Sequence, residues 1–297
     1  TLHSPLWSLR ADLRMFSLAV TGRLGRELRQ HGVLPEGVTA SPSTEAGRTM
    51  PRDRPFDSTI PFLLDPYRYI SRRCREYGSD VFEARLLLHK TLCMTGPDAA
   101  RLFYEPGRFI RHNAPPGRIQ ATLFGRGGVQ GLDGPAHQHR KAMFMSMMTP
   151  EALAALCGLV ERWLQTYARR WAGGGQIELY SECQEILTRA VCEWAGVPLP
   201  ESDVTRRTRE LAALFDAAGA VGLRHWWSLL SRKLSDRWIQ DIIQAIRDGQ
   251  IKLPQDKPAS IIAFHRDLDG NLLPAHVAAV ELLNVLRPTI AVAVYSC

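Results

Sequence analysis

Along most of this chain apolar side chains recur every three or four residues, a spacing that predicts helices over 136–147, 150–172, 181–195, 201–220, 226–248 and 274–297. Thr149-Pro150, Gly173-Gly174-Gly175, Pro198 and Gly249 punctuate them. Pro150 and Pro274 suit a first helical turn, and Gly196 suits a helix end. Closer to the start, Tyr67, Ile70, Cys74 and Tyr77 predict a helix over 66–77, ending at Gly78. VFEARLLLHKTLCMTG (81–96) reads as a strand pair and 97–105 as a short helix. With Pro115, Pro116 and five glycines, 111–131 reads as a long loop or broken helix, and long loops in compact domains are often functional. The expected fold class is mainly α, with a small β region near the N-terminus.

The last helix, PAHVAAVELLNVLRPTIAVAVYSC, is apolar on every face and should run through the core. Two residues conflict with that setting. Arg287 brings a permanent cation into it, and an unpaired buried cation costs on the order of several kcal/mol, so an anion or strong hydrogen bonds must meet it. Pro288 removes a backbone donor and crowds the carbonyl of Asn284, which should kink or break the helix beside the charge. The alternative is that Arg287 ends a helix and snorkels to the surface, with Pro288 opening a new segment.

The first 55 residues do not resemble a folded domain. Ser8 to Leu34 is Arg-rich and acid-poor with leucines at helical spacing, which suits an organelle-targeting presequence or an upstream extension. Pro35 to Arg54 reads as linker, and Met50 is a plausible true start. Localisation therefore stays open, cytoplasmic or, with a presequence in 1–49, organellar. The remaining 56–297 reads as one folded unit.

Composition narrows the function classes. A chain of 297 residues, 45% hydrophobic and 23% charged, is ordinary for a globular protein. No stretch of about 18 residues is uniformly apolar once Arg287 and Pro288 interrupt the last helix, so no transmembrane segment is expected. The net charge of +7 comes from scattered arginines without interleaved aromatics, which argues against nucleic acid. Six cysteines, Cys74, Cys93, Cys157, Cys183, Cys192 and Cys297, stand singly and read as free thiols.

GLDGPAHQHRKAMF (131–144) holds the other candidate chemistry. His137 and Lys141 lie four apart at a helix start, so they could grip an anion together or form a solvated face. The His137–His139 spacing alone is too common to argue a metal site, and none is assigned.

Three runs in order, GLDGPAHQHRKAMFMSMMTP, GAVGLRHWW (219–227) and ELLNVLRPTIAVA (281–293), resemble the bacterial-type fatty-acid peroxygenases, a branch of the cytochrome P450 haem-thiolate enzymes. The resemblance implies a cytochrome P450 fold with haem b as cofactor. It implies that His137 and Lys141 contact the haem propionates and that the last helix is the long helix crossing the distal haem face. It further implies that a fatty-acid carboxylate pairs with Arg287, beside Pro288, and serves as acid–base for hydrogen peroxide, with no redox partner. RFIRHNAPP aligns with the family segment where Gln or His lies over the haem. The resemblance thus makes His112 a candidate catalytic residue that directs decarboxylation to alkenes.

The family's ExxR helix and cysteine loop would lie beyond Cys297, so this chain corresponds to a fold truncated after the central helix and lacking the iron ligand. Such a chain alone is expected to bind haem weakly and to be inactive. Two other readings are a fragment of a conventional monooxygenase, against which Arg287-Pro288 counts, and a non-catalytic helical remnant that binds fatty acids.

Overall fold

The computed structural model describes residues 20–21, 50–105, 107–217 and 222–296. Other expectations for 1–49, and those for Cys297, lie outside the described residues. The chain divides into two compact units, Thr1–Ile110 and Arg111–Cys297.

In the first unit, α1 (Thr59–Leu64) and α2 (Tyr69–Tyr77) precede the hairpin β2 (Val81–Leu86) and β3 (His89–Met94), and α3 (Gly96–Tyr104) follows. β2 and β3 pair antiparallel, from Val81 opposite Met94 to Leu86 opposite His89. A two-residue strand, β1 (Val20–Thr21), adds to the other edge of β3. The strand pair and α3 fall where alternation and spacing put them, and α2 ends on Gly78 in the left-handed conformation that glycine tolerates. The sequence pattern did not reveal α1.

Composition groups Pro51 to Arg54 with the linker, but the structure corrects this. The Pro51 carbonyl accepts from Glu83 N–H at 2.9 Å, and Asp53 N–H donates to the Glu83 carbonyl at 2.8 Å. The Asp53 carboxylate is fully enclosed. It accepts from Ser58 Oγ at 2.6 Å, Tyr77 Oη at 2.7 Å and Tyr69 Oη, with Arg73 Nε 3.2 Å away. Burial alone would raise its pKa, yet the three hydroxyl donors and Arg73 outweigh that and hold it below the usual carboxylate range. A depressed folded-state pKa stabilises the protein above the unfolded value, about 3.9, and the gain disappears as pH falls through the folded value. Unfolding curves of wild type and Asp53→Asn should therefore differ most at neutral pH and converge below about pH 4.

The second unit is helical. It comprises α4 (Gly134–Met147), α5 (Pro150–Trp171), α6 (Leu179–Ala195), α7 (Val204–Asp216), α8 (Leu223–Arg247), α9 (Pro258–Phe264), α10 (Ala275–Ala291) and α11 (Ala293–Ser296). Helix α9, at only seven residues, escaped the periodicity. α4 and α5 meet at a 57° bend where Thr149 caps and Pro150 opens α5.

Helix α10 packs against α6, α7, α8 and α9. Ala278, Leu282, Leu283, Leu286 and Ile290 are buried on it, together with Leu211, Leu214 and Phe215 of α7 and Ile239 and Ile243 of α8. Neighbours on all sides explain why its sequence has no polar face. By length and composition alone Ala275–Tyr295 could cross a membrane, which the interruption argument had excluded; 78% of that window is buried inside the protein.

The helix also differs from expectation at Pro288. It does not break there but continues through Pro288 to Ala291, and the interruption falls at Val292. Pro288 itself is exposed, and the buried residues on either side of it, Leu286, Arg287 and Ile290, hold the turn in place, although the Asn284 carbonyl loses its usual intrahelical donor.

Candidate functional site

Arg287 does not snorkel. Its side chain is enclosed, 6% exposed, between α10 and the segment that precedes α4. That segment begins with a helical turn, Gly117–Ile119, widens into a π-type turn, Gln120–Phe124, and closes with Gly125 N–H donating to the Gln120 carbonyl at 2.8 Å. The last carbonyls of such a turn have no partner within it and form its negative end. One of them, Leu123 O, accepts from Arg287 Nη1 and, at 3.4 Å, from Arg232 Nη1 of α8.

Arg287 Nη2 donates to Asn284 Oδ1 at 3.4 Å, and the guanidinium lies 5.7 Å from the centre of the Phe124 ring. These contacts are neutral. Burial first, and Arg232 second, pull the Arg287 pKa down to about 9, which still leaves it protonated at neutral pH. Arg232 has its own anion, with Nε 2.9 Å and Nη2 2.8 Å from the two oxygens of Asp236.

The glycines after the turn allow this approach. At Gly125, φ is +76° and an added Cβ would stand 2.1 Å from Arg232 Nη2. At Gly128 it would stand 2.9 Å from Val280 of α10. Side chains there would push the loop, and with it the Leu123 carbonyl, away from both arginines.

A second polar group lies further along α10. Glu281, fully buried, accepts from Arg140 Nη1 of α4 at 2.7 Å and from Asn284 Nδ2 at 3.1 Å. Asn284 Nδ2 also donates to Gln130 Oε1 at 3.1 Å. Arg140, Glu281, Asn284 and Arg232 escaped sequence reasoning. A signal was present, since Glu281, Asn284 and Arg287 recur every third residue in an otherwise apolar run. Arg140 looked like one basic residue among several, and nothing in the sequence singled out Arg232.

Helix α4 carries the other expected contacts. Its N-cap residue, Asp133, accepts from the backbone N–H groups of Arg111 at 2.7 Å and His112 at 3.0 Å, tying that segment to the helix start. His137 is half-buried and Lys141 is exposed one turn on. Burial, then Arg111, then Lys141 lower the His137 pKa, against the opposite pull of Asp133. Arg111, His137 and Lys141 thus place cationic and neutral donors at one helix start, a donor set that suits paired carboxylates such as haem propionates. His139 stands apart from this group: its Nε2 donates to the Arg266 carbonyl at 2.9 Å and its ring stacks on His265 at 4.9 Å. The His112 side chain is exposed.

The buried cysteines are held as thiols. Burial pushes the thiols of Cys93 and Cys192 up to about 12 and raises Cys74 as well. Cys157 is exposed and Cys183 half-buried, and none of these five forms a disulfide.

The fold matches solved cytochrome P450 structures over most of the chain. Cytochrome P450SP alpha in complex with (R)-ibuprofen superposes with a TM-score of 0.78 at 53% identity, covering 80% of this chain and 59% of that one. Cytochrome P450EX alpha with myristic acid gives 0.80 at 39%, covering 84% and 60%. A variant of cytochrome P450 OleT in complex with arachidonic acid gives 0.78 at 29%, covering 83% and 59%. Human cytochrome P450 26B1 is 26% identical over 145 residues, 48% of this chain and 28% of its own. No protein-family model matches the chain.

Over about four-fifths of its length the chain has the cytochrome P450 fold and is similar in sequence to members of that superfamily. Within it, P450SP alpha, P450EX alpha and OleT belong to the fatty-acid peroxygenase branch, and the chain spans about three-fifths of their length.

Proposed function

We propose that residues 56–297 form the distal part of a haem-thiolate peroxygenase that hydroxylates or decarboxylates long-chain fatty acids with hydrogen peroxide, without a reductase. One observation carries this reading: Arg287 is a buried, protonated guanidinium in the central helix whose contacts are all neutral. A fatty-acid carboxylate supplies the missing anion and the apolar helix face suits its chain. The myristic and arachidonic acid complexes of the matched structures support the same substrate class.

His137 and Lys141, with Arg111 beside them, would hold the haem propionates. Bound haem supplies activation of the peroxide and oxidation of the acid. Arg287 binds the carboxylate and fixes its orientation. The paired carboxylate then acts as acid–base, taking a peroxide proton on one oxygen and returning it to the leaving oxygen. Pro288 follows directly, and its missing N–H leaves the Asn284 carbonyl on this turn without an intrahelical donor.

The reading is tested in a chain continued beyond Cys297 with the corresponding part of P450SP alpha. Haem-loaded, it should oxidise palmitic acid with hydrogen peroxide alone. Turnover only with electrons from a reductase would instead make it a monooxygenase, and fatty-acid binding without turnover would leave a binding protein. His112 bears on the products. An imidazole exchanges protons near pH 7 and a glutamine amide does not. His112→Gln should therefore lower the ratio of terminal alkene to hydroxy acid; an unchanged ratio removes His112 from the chemistry.

A further inference from the structure

The acids closest to Arg287 in its hydrogen-bond network are each engaged by a different arginine. Asp236 is held by Arg232 and Glu281 by Arg140. We propose that Arg140 and Glu281 are positioning residues for Arg287, acting through Asn284. They keep a neutral oxygen against its guanidinium and leave its charge available to a ligand carboxylate. This rests on the reading that a carboxylate pairs with Arg287.

Side chains on a helix lean toward its N-terminus, so Arg287 reaches back along α10 toward Asn284, and Asn284 in turn is the i,i+3 neighbour of Glu281. A free Glu281 carboxylate would be the stronger attraction, since a charge-assisted hydrogen bond is about twice as strong as a neutral one. Arg140 removes that competition by occupying Glu281 Oε1 at 2.7 Å. The other oxygen, Oε2, accepts from Asn284 Nδ2 at 3.1 Å.

The same amide nitrogen donates to Gln130 Oε1 at 3.1 Å. Two acceptors on the nitrogen side fix the amide, and its oxygen is the atom left to face Arg287 at 3.4 Å. A flipped amide would set N–H groups against the guanidinium and face two acceptors with an oxygen. The ion pair on α4 and α10 thus determines which atom of Asn284 the guanidinium meets, and that atom carries no net charge.

The test is a calorimetric titration of the full chain with myristate and with tetradecan-1-ol at about pH 8, where the acid is ionised. The ratio of the two affinities is the readout. Wild type should bind the acid tighter by about tenfold or more, equivalent to about 1.4 kcal/mol. Arg140→Met frees Glu281, and Asn284→Asp sets a carboxylate against the guanidinium. Each should bring the ratio close to one, while Arg140→Met/Glu281→Met, neutral at both positions, should restore it.

A merely structural pair would move the melting temperature and leave the ratio alone. If Arg140→Met does not fold, Asn284→Asp and the double variant decide the outcome. Ratios equal to wild type in the folded single variants would overturn the positioning role and leave carboxylate binding by Arg287 standing. No preference for the acid in wild type would overturn both.

Discussion

Arg287→Ala should lower peroxide-driven turnover of fatty acids by about 10²–10⁴-fold in a haem-loaded, completed chain, the range expected when a general acid–base is lost. Haem content should hardly change, because the proposed propionate contacts, His137 and Lys141, lie on α4 and not on α10. Stability should not suffer as it usually does when a buried charge is removed. The partners of Arg287 are a carbonyl, an amide oxygen and a ring face, so no buried anion is orphaned, and Leu123 O keeps Arg232 as a donor. Arg287→Met, which fills the volume without the charge, should melt at or above the wild-type temperature. Wild-type turnover in Arg287→Ala would make the residue structural; a large loss of stability in Arg287→Met would mean that an anion inside the protein already satisfies it.

Glu281→Ala should have the opposite profile. Here the partner left behind is Arg140, a buried cation with its main carboxylate removed. Breaking one side of a buried ion pair costs about 3–5 kcal/mol, which for a helical unit of this size lowers the melting temperature by on the order of 10 °C. Replacing both partners, as in Arg140→Met/Glu281→Met, should recover most of that loss, since hydrophobic replacement of a buried pair is often neutral or stabilising. Thermal unfolding of the three proteins separates these outcomes. A Glu281→Ala protein as stable as wild type would mean that water reaches Arg140 and that the pair is not buried in solution.

The two predictions differ because the two arginines differ in a way that no linear pattern expresses. Arg140 and Arg287 are both arginines inside helical segments. Arg287 was conspicuous because its surroundings in sequence are apolar. Arg140 sits in HQHRK, where a charge is unremarkable, yet it is the one with a fully buried carboxylate partner, 141 positions away. His137 and Lys141, the conspicuous members of that run, lie on the less buried part of the same helix.

Local rules read the helices well. Apolar spacing located α4 to α8 and α10, and prolines and glycines marked most of the breaks. They failed for α1 and α9, at six and seven residues too short to show a period. They failed again at Pro288, whose breaking tendency is overridden by the burial of Leu286, Arg287 and Ile290 around it. Residues 51–54 were misjudged because composition saw prolines and charges and not the buried Asp53 that four side chains converge on.

By itself the amino-acid order determined which segments are helical, that the last of them is central, and that Arg287 inside it calls for an anion, because these follow from side-chain periodicity and the cost of an isolated charge. Only the tertiary structure decided which anion is not available within the protein. Asp236 and Glu281 belong to the same hydrogen-bond network as Arg287, and the packing of α4 and α8 against α10 gives each of them a different arginine. The Leu123 carbonyl reaches the site because Gly125 and Gly128 let a loop settle on two helices. Such contacts join residues up to 164 positions apart, and their strength depends on distances of a few ångströms that sequence separation does not encode.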